Sequence, residues 1–294
     1  MKQFFLAVVT SVIAATWTHN TVLAGGTLPG DSSGQAYAVP LPEGVYFWDT
    51  PSYGTRPNGK GIGIDANSFA NVPVFLWSTP FNPLGGRFDL AATVPELFVG
   101  FPSSAGYPGP SSVRGLYNSL FAALWAFDLG NGLNVSLLSG FYIPENPGKT
   151  GASVYAWVAR EGFNVAYAAD GWKAAANLSY QFQGKDYLTG LPSANNNFVY
   201  DLTLTKTIDK IEFGPVGFGS MDTDQQANNH PAARFALGGL IGYDFGSVDV
   251  QLYATRDVAR RNLGGYETRV WSRVTVPLWS PPPGSVSQGG LSKY

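Results

Sequence analysis

The sequence predicts an all-β fold: a transmembrane antiparallel up-and-down β-barrel of about 12 strands, with short periplasmic turns and longer extracellular loops. Three observations support this fold class. Short turn signals recur at a regular spacing, the stretches between them alternate apolar and polar residues, and the chain begins with an export signal. The composition agrees, since 14% of the residues are aromatic, 13% are charged and 36 are glycine, a mix typical of strands and turns.

Five turn signals recur about every 40 residues, which leaves room between successive turns for two strands of about ten residues and one longer loop. Five short turns predict about 12 strands if both ends of the barrel lie on the short-turn side. The signals are residues 82–86, 128–132, 170–171, 208–210 and 244–247.

Alternation of apolar and polar residues is clearest near the C-terminus, in residues 248–255, where Val250 and Leu252 share one face and Gln251 and Tyr253 share the other. This period of two indicates a strand. A soluble two-sheet sandwich also alternates, but the regular turns, the aromatic residues near strand ends and the export signal favour the barrel. Strands are predicted near 44–53, 61–79, 87–100, 115–127, 133–143, 152–169, 172–183, 196–207, 211–221, 233–244, 247–256 and 266–279.

The first 24 residues are predicted to be a signal peptide. Lys2 provides a positive charge, Phe4 to Ala15 is apolar apart from Thr10 and Ser11, and Val22-Leu23-Ala24 offers small residues for cleavage after Ala24. An uncleaved anchor would need about 20 apolar residues, and polar residues from Thr16 to Asn20 interrupt the run too early.

Two further segments flank the predicted barrel, which spans residues 44–279. Residues 25–43 are rich in Gly and Pro, and we call them the lead-in; they are expected either to fold into the lumen as a plug or to form a disordered periplasmic leader. Residues 280–294 include Pro281-Pro282-Pro283 and are expected to be a flexible tail, because proline cannot continue a sheet.

The residues that would line a pore are those on the polar face of each strand, because the other face meets lipid. The predicted polar lining is Asp65, Asn67, Asp89, Lys173, Gln181, Asp201, Arg234, Asp249, Gln251, Glu267, Arg269 and Arg273. The predicted aromatic lining is Phe69, Phe75, Trp77, Tyr253 and Trp271.

Both sets have two interpretations. Opposite charges in a lumen form a selectivity ring, or they cross a narrow barrel and pair, holding the wall together without any solute passing. The aromatic rings stack on an aromatic solute, or they only fill space.

Several classes of function are disfavoured by composition. The chain has no cysteine, which excludes disulfides and cysteine nucleophiles, and its net charge of -2 gives no reason to expect nucleic acid as a partner. No catalytic motif surrounds His230, and its spacing from Asp222 and Asp224 matches no metal-binding motif. We therefore expect no enzymatic activity, no metal and no cofactor.

Five stretches of the sequence, taken in order, carry a resemblance to a known family: Gly26 to Gly30, Leu41 to Phe47, Ser78 to Gly86, Ala236 to Gly246 and Trp271 to Leu278. Over most of the predicted mature chain, the sequence resembles the outer-membrane protein family of the meta-pathway of phenol degradation.

The resemblance implies a channel in the bacterial outer membrane that admits small hydrophobic or aromatic, phenol-like compounds, with no catalytic residue. Its expected partners are outer-membrane lipid, such a solute and the outer-membrane assembly machinery. One departure is the tail after Trp279, because many outer-membrane barrels end on an aromatic residue that the assembly machinery reads. The competing hypothesis is a structural or surface-adhesion barrel with a closed lumen.

Overall fold

The computed structural model describes residues 26–57, 66–100, 112–144, 154–227 and 230–282. The predicted signal peptide and most of the predicted tail lie outside these residues, as does Asp65. Within the described ranges, no helix is long and apolar enough to cross a membrane.

Sixteen strand segments form one antiparallel sheet, and four pairs of segments are each the two halves of one strand, which makes 12 strands. The segments are β1 (Gly44–Asp49), β2 (Ser52–Arg56), β3 (Ala66–Asn71), β4 (Pro73–Ser78), β5 (Arg87–Thr93), β6 (Glu96–Gly100), β7 (Ser112–Leu116), β8 (Ser119–Asp128), β9 (Leu133–Ile143), β10 (Val158–Ala169), β11 (Trp172–Gln183), β12 (Asn197–Ile208), β13 (Ile211–Asp222), β14 (Ala233–Asp244), β15 (Asp249–Arg261) and β16 (Thr268–Trp279).

The last strand closes the barrel by pairing with both halves of the first. Near the short-turn end, Phe47 of β1 lies opposite Val276 of β16. Further along the same strand, Tyr53 of β2 lies opposite Val270. The sequential hairpin order from β8 to β16 completes the wall. The predicted closed 12-strand barrel is therefore confirmed.

Four neighbouring strands are interrupted near their middle, and a proline lies in or directly after three of the interruptions. Pro51 separates β1 from β2, Pro73 begins β4 and Pro95 separates β5 from β6. Proline has no N–H to donate to the sheet. Hydrogen bonds at this level still join neighbouring strands, since the Tyr117 N–H donates to the Pro95 carbonyl at 2.8 Å.

The five predicted short turns are confirmed between β4 and β5, β8 and β9, β10 and β11, β12 and β13, and β14 and β15. Asn131, Asp170 and Asp209 in these turns have φ of 53°, 53° and 54°. Asn and Asp tolerate this left-handed conformation better than other residues with a Cβ. The turn chemistry read from the sequence therefore fixes one rim of the barrel.

One predicted strand begins later than expected. The prediction was 152–169, whereas β10 begins at Val158. The Asn118 side chain accepts a hydrogen bond from Val154 N at 3.0 Å and donates one to the Ala156 carbonyl at 3.0 Å. These bonds to a side chain satisfy backbone groups that a strand would have paired.

The two faces of the wall differ as a membrane barrel requires. Alternate side chains along each strand are buried toward the lumen, and those between them form an exposed apolar surface. Leu252 is 54% exposed, for example, while its neighbour Tyr253 is 4% exposed. Such an apolar exterior fits the hydrocarbon layer of a bilayer.

Substituting Gly238 should destabilise the barrel, whereas substituting its neighbour Gly239 should not. A Cβ on Gly238 would overlap the Ala254 carbonyl oxygen and lie 2.8 Å from the Thr255 Cα, both of them backbone atoms. A Cβ on Gly239 would meet nothing within 4 Å. We expect Gly238→Ala to lower the free energy of unfolding by about 1–3 kcal/mol, measured by urea titration in detergent micelles. Equal unfolding midpoints for Gly238→Ala and Gly239→Ala would contradict this expectation.

Candidate functional site in the barrel lumen

The described part of the lead-in, residues 26–43, lies inside the barrel. Its central residues are held by Asp201 on β12, a side chain only 2% exposed. One Asp201 oxygen accepts the Gly30 N–H at 2.9 Å, and the other accepts both the Ser32 N–H at 2.9 Å and the Ser32 hydroxyl at 2.6 Å. Since the carboxylate receives three hydrogen bonds, it fixes the turn of the lead-in to the wall.

Arg273 on β16 holds the same part of the lead-in from the other side. Its guanidinium donates to the Ser33 carbonyl at 2.7 Å and to the Asp31 carbonyl, and it also contacts Gln251 at 2.9 Å. Arg273 is 1% exposed. Arg273 and Asp201 therefore join the lead-in to distant strands of the wall.

Contacts at both ends show how far the lead-in extends along the lumen. Toward the loop side, the Thr27 N–H donates to Gln181 Oε1 at 3.0 Å. Toward the short-turn side, Ser136 and Ser78 donate to the carbonyls of Tyr37 at 2.9 Å and Leu41 at 3.1 Å. The segment thus runs through much of the lumen before it enters β1.

A second polar cluster, which we call the arginine cluster, lies nearer the loop side and surrounds Glu267. The Glu267 carboxylate accepts from Arg56 at 2.5 Å, from Arg269 at 2.6 Å and from Arg234 at 3.2 Å. Arg234 also pairs with Asp257 at 2.5 Å. Glu267 immediately precedes β16 and the other residues belong to neighbouring strands, so the ion pairs connect adjacent parts of the wall.

The two predicted lining aromatics on β15 and β16 pack against each other and against protein. The rings of Tyr253 and Trp271 are stacked, with centroids 5.3 Å apart, and Phe218 meets Trp271 edge-on at 5.9 Å. Leu28 of the lead-in belongs to the same buried cluster. These contacts occupy ring faces that a solute would otherwise meet.

The opposite side of the lumen is apolar and is not filled. A partly enclosed cavity with a volume of about 70 Å³ lies between the lead-in and the inner faces of β1, β4, β5, β8 and β9. We call it the apolar cavity. Its wall is dominated by Trp48, Val72, Val74, Leu76, Leu97, Leu120, Leu124 and Leu138.

Polar groups enter the apolar cavity from the lead-in, β9 and β10. Asp31, Tyr142 and Arg160 are part of its lining. Burial raises the pKa of the Asp31 carboxyl group to about 7, while the positive charges of Arg160 and Arg273 act in the opposite direction. Burial also raises the pKa of the Tyr37 hydroxyl, which therefore stays protonated. The site thus combines an apolar wall with a few buried polar groups, as ligand pockets do.

Most of the predicted lining residues lie on the lumen side. Asp249 also lies on the lumen side of its strand, but it is exposed at the short-turn rim. At the same rim, Lys173 forms an ion pair with Glu212 at 2.7 Å. The other residues whose side chains are buried toward the lumen are Asp89, Gln181, Asp201, Arg234, Gln251, Tyr253, Glu267, Arg269, Trp271 and Arg273.

The sequence analysis assigned the aromatic side chains of β3 and β4 to the lumen, and this assignment is wrong. Phe69, Phe75 and Trp77 are 36%, 54% and 43% exposed and point outward, and Asn67 shares their face. The buried positions are the alternate ones, such as Val74 and Leu76. In β4 both faces are apolar because the inner one lines the cavity, so the alternation of polar and apolar residues does not show which face of β4 meets the lumen.

The sequence analysis missed the apolar cavity and Arg160. Arg160 is inward and buried, but its neighbour Glu161 is exposed, so a charged residue lies on each face of β10. The sequence signal that could have revealed the cavity is the apolar character of both faces of β4 and β8.

The loop residues considered for metal binding make other contacts. Asp222 accepts hydrogen bonds from Asn195 at 3.2 Å and Ala232 N at 2.9 Å, and Asp224 accepts one from Asn196 N at 3.1 Å. Over the ranges that the structure describes, no group of three or more His, Asp or Glu side chains is arranged to hold a metal ion.

Solved structures with similar folds are outer-membrane barrels. The COG4313 outer membrane channel from Pseudomonas putida F1 matches with a TM-score of 0.69 at 13% identity, covering 85% of this chain and 99% of that one. The translocator domain of the autotransporter NalP from Neisseria meningitidis gives 0.48 at 14% identity, covering 80% and 89%. Only the first score supports the fold, and it places the chain among barrels of the bacterial outer membrane.

Comparison with curated protein sequences gave no significant match. A family model does match, over residues 29–274, which is most of the chain and includes both the lead-in residues from Pro29 onward and the strands of the barrel. The family that the sequence resembled is thereby shown: the chain belongs to the family described as "Putative MetA-pathway of phenol degradation".

Proposed function

We propose that this protein is an outer-membrane channel for the passive uptake of small hydrophobic or aromatic compounds. The observation that carries the proposal is the apolar cavity beside the lead-in. A channel for ions or sugars needs a polar path throughout, whereas here one side of the lumen, with Leu76, Leu120 and Leu124, offers an apolar path.

The comparisons support the same function. The family description refers to phenol degradation, and the similar structure from Pseudomonas putida F1 is described as an outer membrane channel. Of these two descriptions, the one that names a molecular activity names a channel. We therefore propose that the barrel has no catalytic activity.

The lead-in is proposed to act as the plug of this channel. It has hydrogen bonds to β9, β11, β12 and β16 inside the lumen. These bonds also suit the competing function, a structural or surface-adhesion barrel whose lumen stays closed. Solute flux distinguishes the two.

Assembly is proposed to use the last strand, although the chain continues beyond it. β16 ends at Trp279, whose side chain is 48% exposed. An exposed aromatic residue at this position gives the outer-membrane assembly machinery a strand end to bind.

Uptake of labelled phenol or an alkylbenzene should be faster through membranes that contain the protein. We suggest proteoliposomes with lipopolysaccharide in the outer leaflet, since that leaflet slows diffusion of hydrophobic solutes. Leu124→Phe, which adds volume inside the cavity, should reduce saturable uptake at least severalfold. Trp77→Ala, on the lipid-facing surface, is the control and should leave uptake unchanged.

Two results would contradict the channel. Uptake no faster than through protein-free membranes would leave the structural or adhesion barrel as the function. Uptake equal for Leu124→Phe and the unmodified protein would show that solute does not pass through the apolar cavity.

A further inference from the structure

Three buried polar atoms on residues that line the apolar cavity have no hydrogen-bond partner among the residues that the structure describes. They are Asp31 Oδ1 on the lead-in, Arg160 Nε on β10 and Thr93 Oγ1 on β5. Leaving a buried polar group unpaired destabilises a protein, and more so when the group is charged. Three such atoms on the lining of one cavity indicate that a molecule with complementary polar atoms belongs there.

The atoms on Asp31 and Arg160 are a matched acceptor and donor. A carboxyl oxygen accepts a hydrogen bond in either protonation state, and a guanidinium N–H only donates. The two side chains interact electrostatically, yet they form no ion pair within the 4.0 Å limit in the described structure. A group placed between them must therefore both donate and accept.

A hydroxyl group is the simplest group that does both. Its hydrogen can be donated to Asp31 and its oxygen can accept from Arg160. The rest of such a molecule would lie against an apolar wall that includes Val74, Leu76 and Leu120. Thr93, on the wall, offers a further hydroxyl that can rotate to donate or accept.

We propose that the apolar cavity is a binding site for small, uncharged, hydroxylated apolar molecules, with the hydroxyl group bridging Asp31 and Arg160. This inference rests on the proposed function and narrows its substrate class. Because the site recognises the hydroxyl group, a saturated ring with a hydroxyl group binds as tightly as an aromatic ring with one. The site is therefore selective for polarity within a set of molecules of similar shape.

Two related classes of molecule are disfavoured by the same groups. A hydrocarbon of the same size leaves both Asp31 Oδ1 and Arg160 Nε unpaired, as they are without a ligand. A carboxylate could pair with Arg160, but it would face the carboxyl group of Asp31, which already lies within the electrostatic influence of Asp201. The site thus discriminates against hydrocarbons by leaving its polar atoms unpaired, and it favours hydroxylated molecules by forming hydrogen bonds with them.

Four probes of similar size test the proposal: phenol, cyclohexanol, benzene and benzoate, each titrated by calorimetry into the folded protein in detergent micelles. We expect phenol and cyclohexanol to bind at least about tenfold more tightly than benzene or benzoate, since a hydrogen bond to a charged group contributes about 1.5–3 kcal/mol. Protein-free micelles correct for partitioning of each probe into detergent.

The key variant is Arg160→Met, which removes the donor and keeps an apolar stem. It should weaken phenol binding about tenfold and leave benzene binding unchanged. Arg114→Met, at an exposed position on β7, is the matched control and should bind all four probes as the unmodified protein does. Retained heat-modifiable migration in electrophoresis shows that each variant is folded.

A variant that fills the site keeps the test decisive if Arg160→Met does not fold. Leu124→Phe should weaken binding of all four probes together. Equal affinity for phenol and benzene would overturn the proposal that the site recognises a hydroxyl group, while the proposed channel function would still stand. Absence of binding by every probe, with uptake still saturable, would also overturn it and would show that the cavity holds only water. Absence of both binding and uptake would overturn the proposed function itself.

Discussion

Deleting residues 26–40 should raise the single-channel conductance of the barrel severalfold in planar lipid bilayers. The lead-in occupies the lumen from the level of Thr27 to that of Leu41, with hydrogen bonds to both ends of the wall. Removing it leaves the polar inner surface of β11 to β16 in contact with water, including Asp201 and Arg273. A polar, water-filled lumen conducts ions, whereas a lumen filled by protein does not.

A substitution that weakens the attachment of the lead-in to the wall should give a conductance between that of the unmodified barrel and that of the deletion variant. Asp201→Ala removes three hydrogen bonds to Gly30 and Ser32 but keeps the chain length. It should give brief openings between a low-conductance and a high-conductance level. Trp77→Ala, on the outer surface, should conduct as the unmodified barrel does. If the deletion leaves conductance unchanged, the lead-in is not the plug.

The sequence could predict β11 to β16 because the two faces of these strands differ. On β11 the inner positions include Asn177 and Gln181, while alternate outer positions include Trp172 and Phe182. The short turns then set the register of each hairpin. Facing and pairing follow from local patterns in these strands, so the fold class and most lumen residues could be inferred without the structure.

The apolar cavity could not be predicted in the same way. Its lining comes from the lead-in and from strands far apart in sequence, with Asp31 and Leu138 meeting the same space. Where the inner face of a strand is as apolar as the outer one, hydropathy does not tell lumen from lipid, which is why Phe75 and Trp77 were assigned to the wrong face. Only the position of the lead-in inside the barrel makes the inner apolar face necessary.

The arginine cluster is the other feature that the sequence left open, because its charges could have formed a selectivity ring or paired within the wall. In the structure Glu267 is the only carboxylate seen to pair with three arginines in the described ranges, namely Arg56, Arg234 and Arg269. Its side chain is 6% exposed. Removing this one charge should therefore leave three guanidinium groups close together in a buried setting.

Glu267→Gln should lower the free energy of unfolding by about 3–5 kcal/mol, the usual cost of breaking a buried ion pair from one side. Gln keeps the shape of Glu, so the effect isolates the charge. Glu212→Gln is the matched control: in the part of the chain that the structure describes, the one ion pair of Glu212 is with Lys173, and the two side chains are 15% and 23% exposed. It should lower stability by no more than about 1 kcal/mol, because ion pairs near solvent contribute little.

Urea titrations of both variants in the same detergent measure the difference directly. A large loss of unfolding free energy in Glu267→Gln, together with an unchanged conductance of the folded molecules, means that the arginine cluster stabilises the wall. It then holds β2, β14, β15 and β16 together rather than selecting ions. Equal stability of the two variants would contradict that role, since a carboxylate that pairs with three arginines cannot be neutralised without effect if those pairs stabilise the wall.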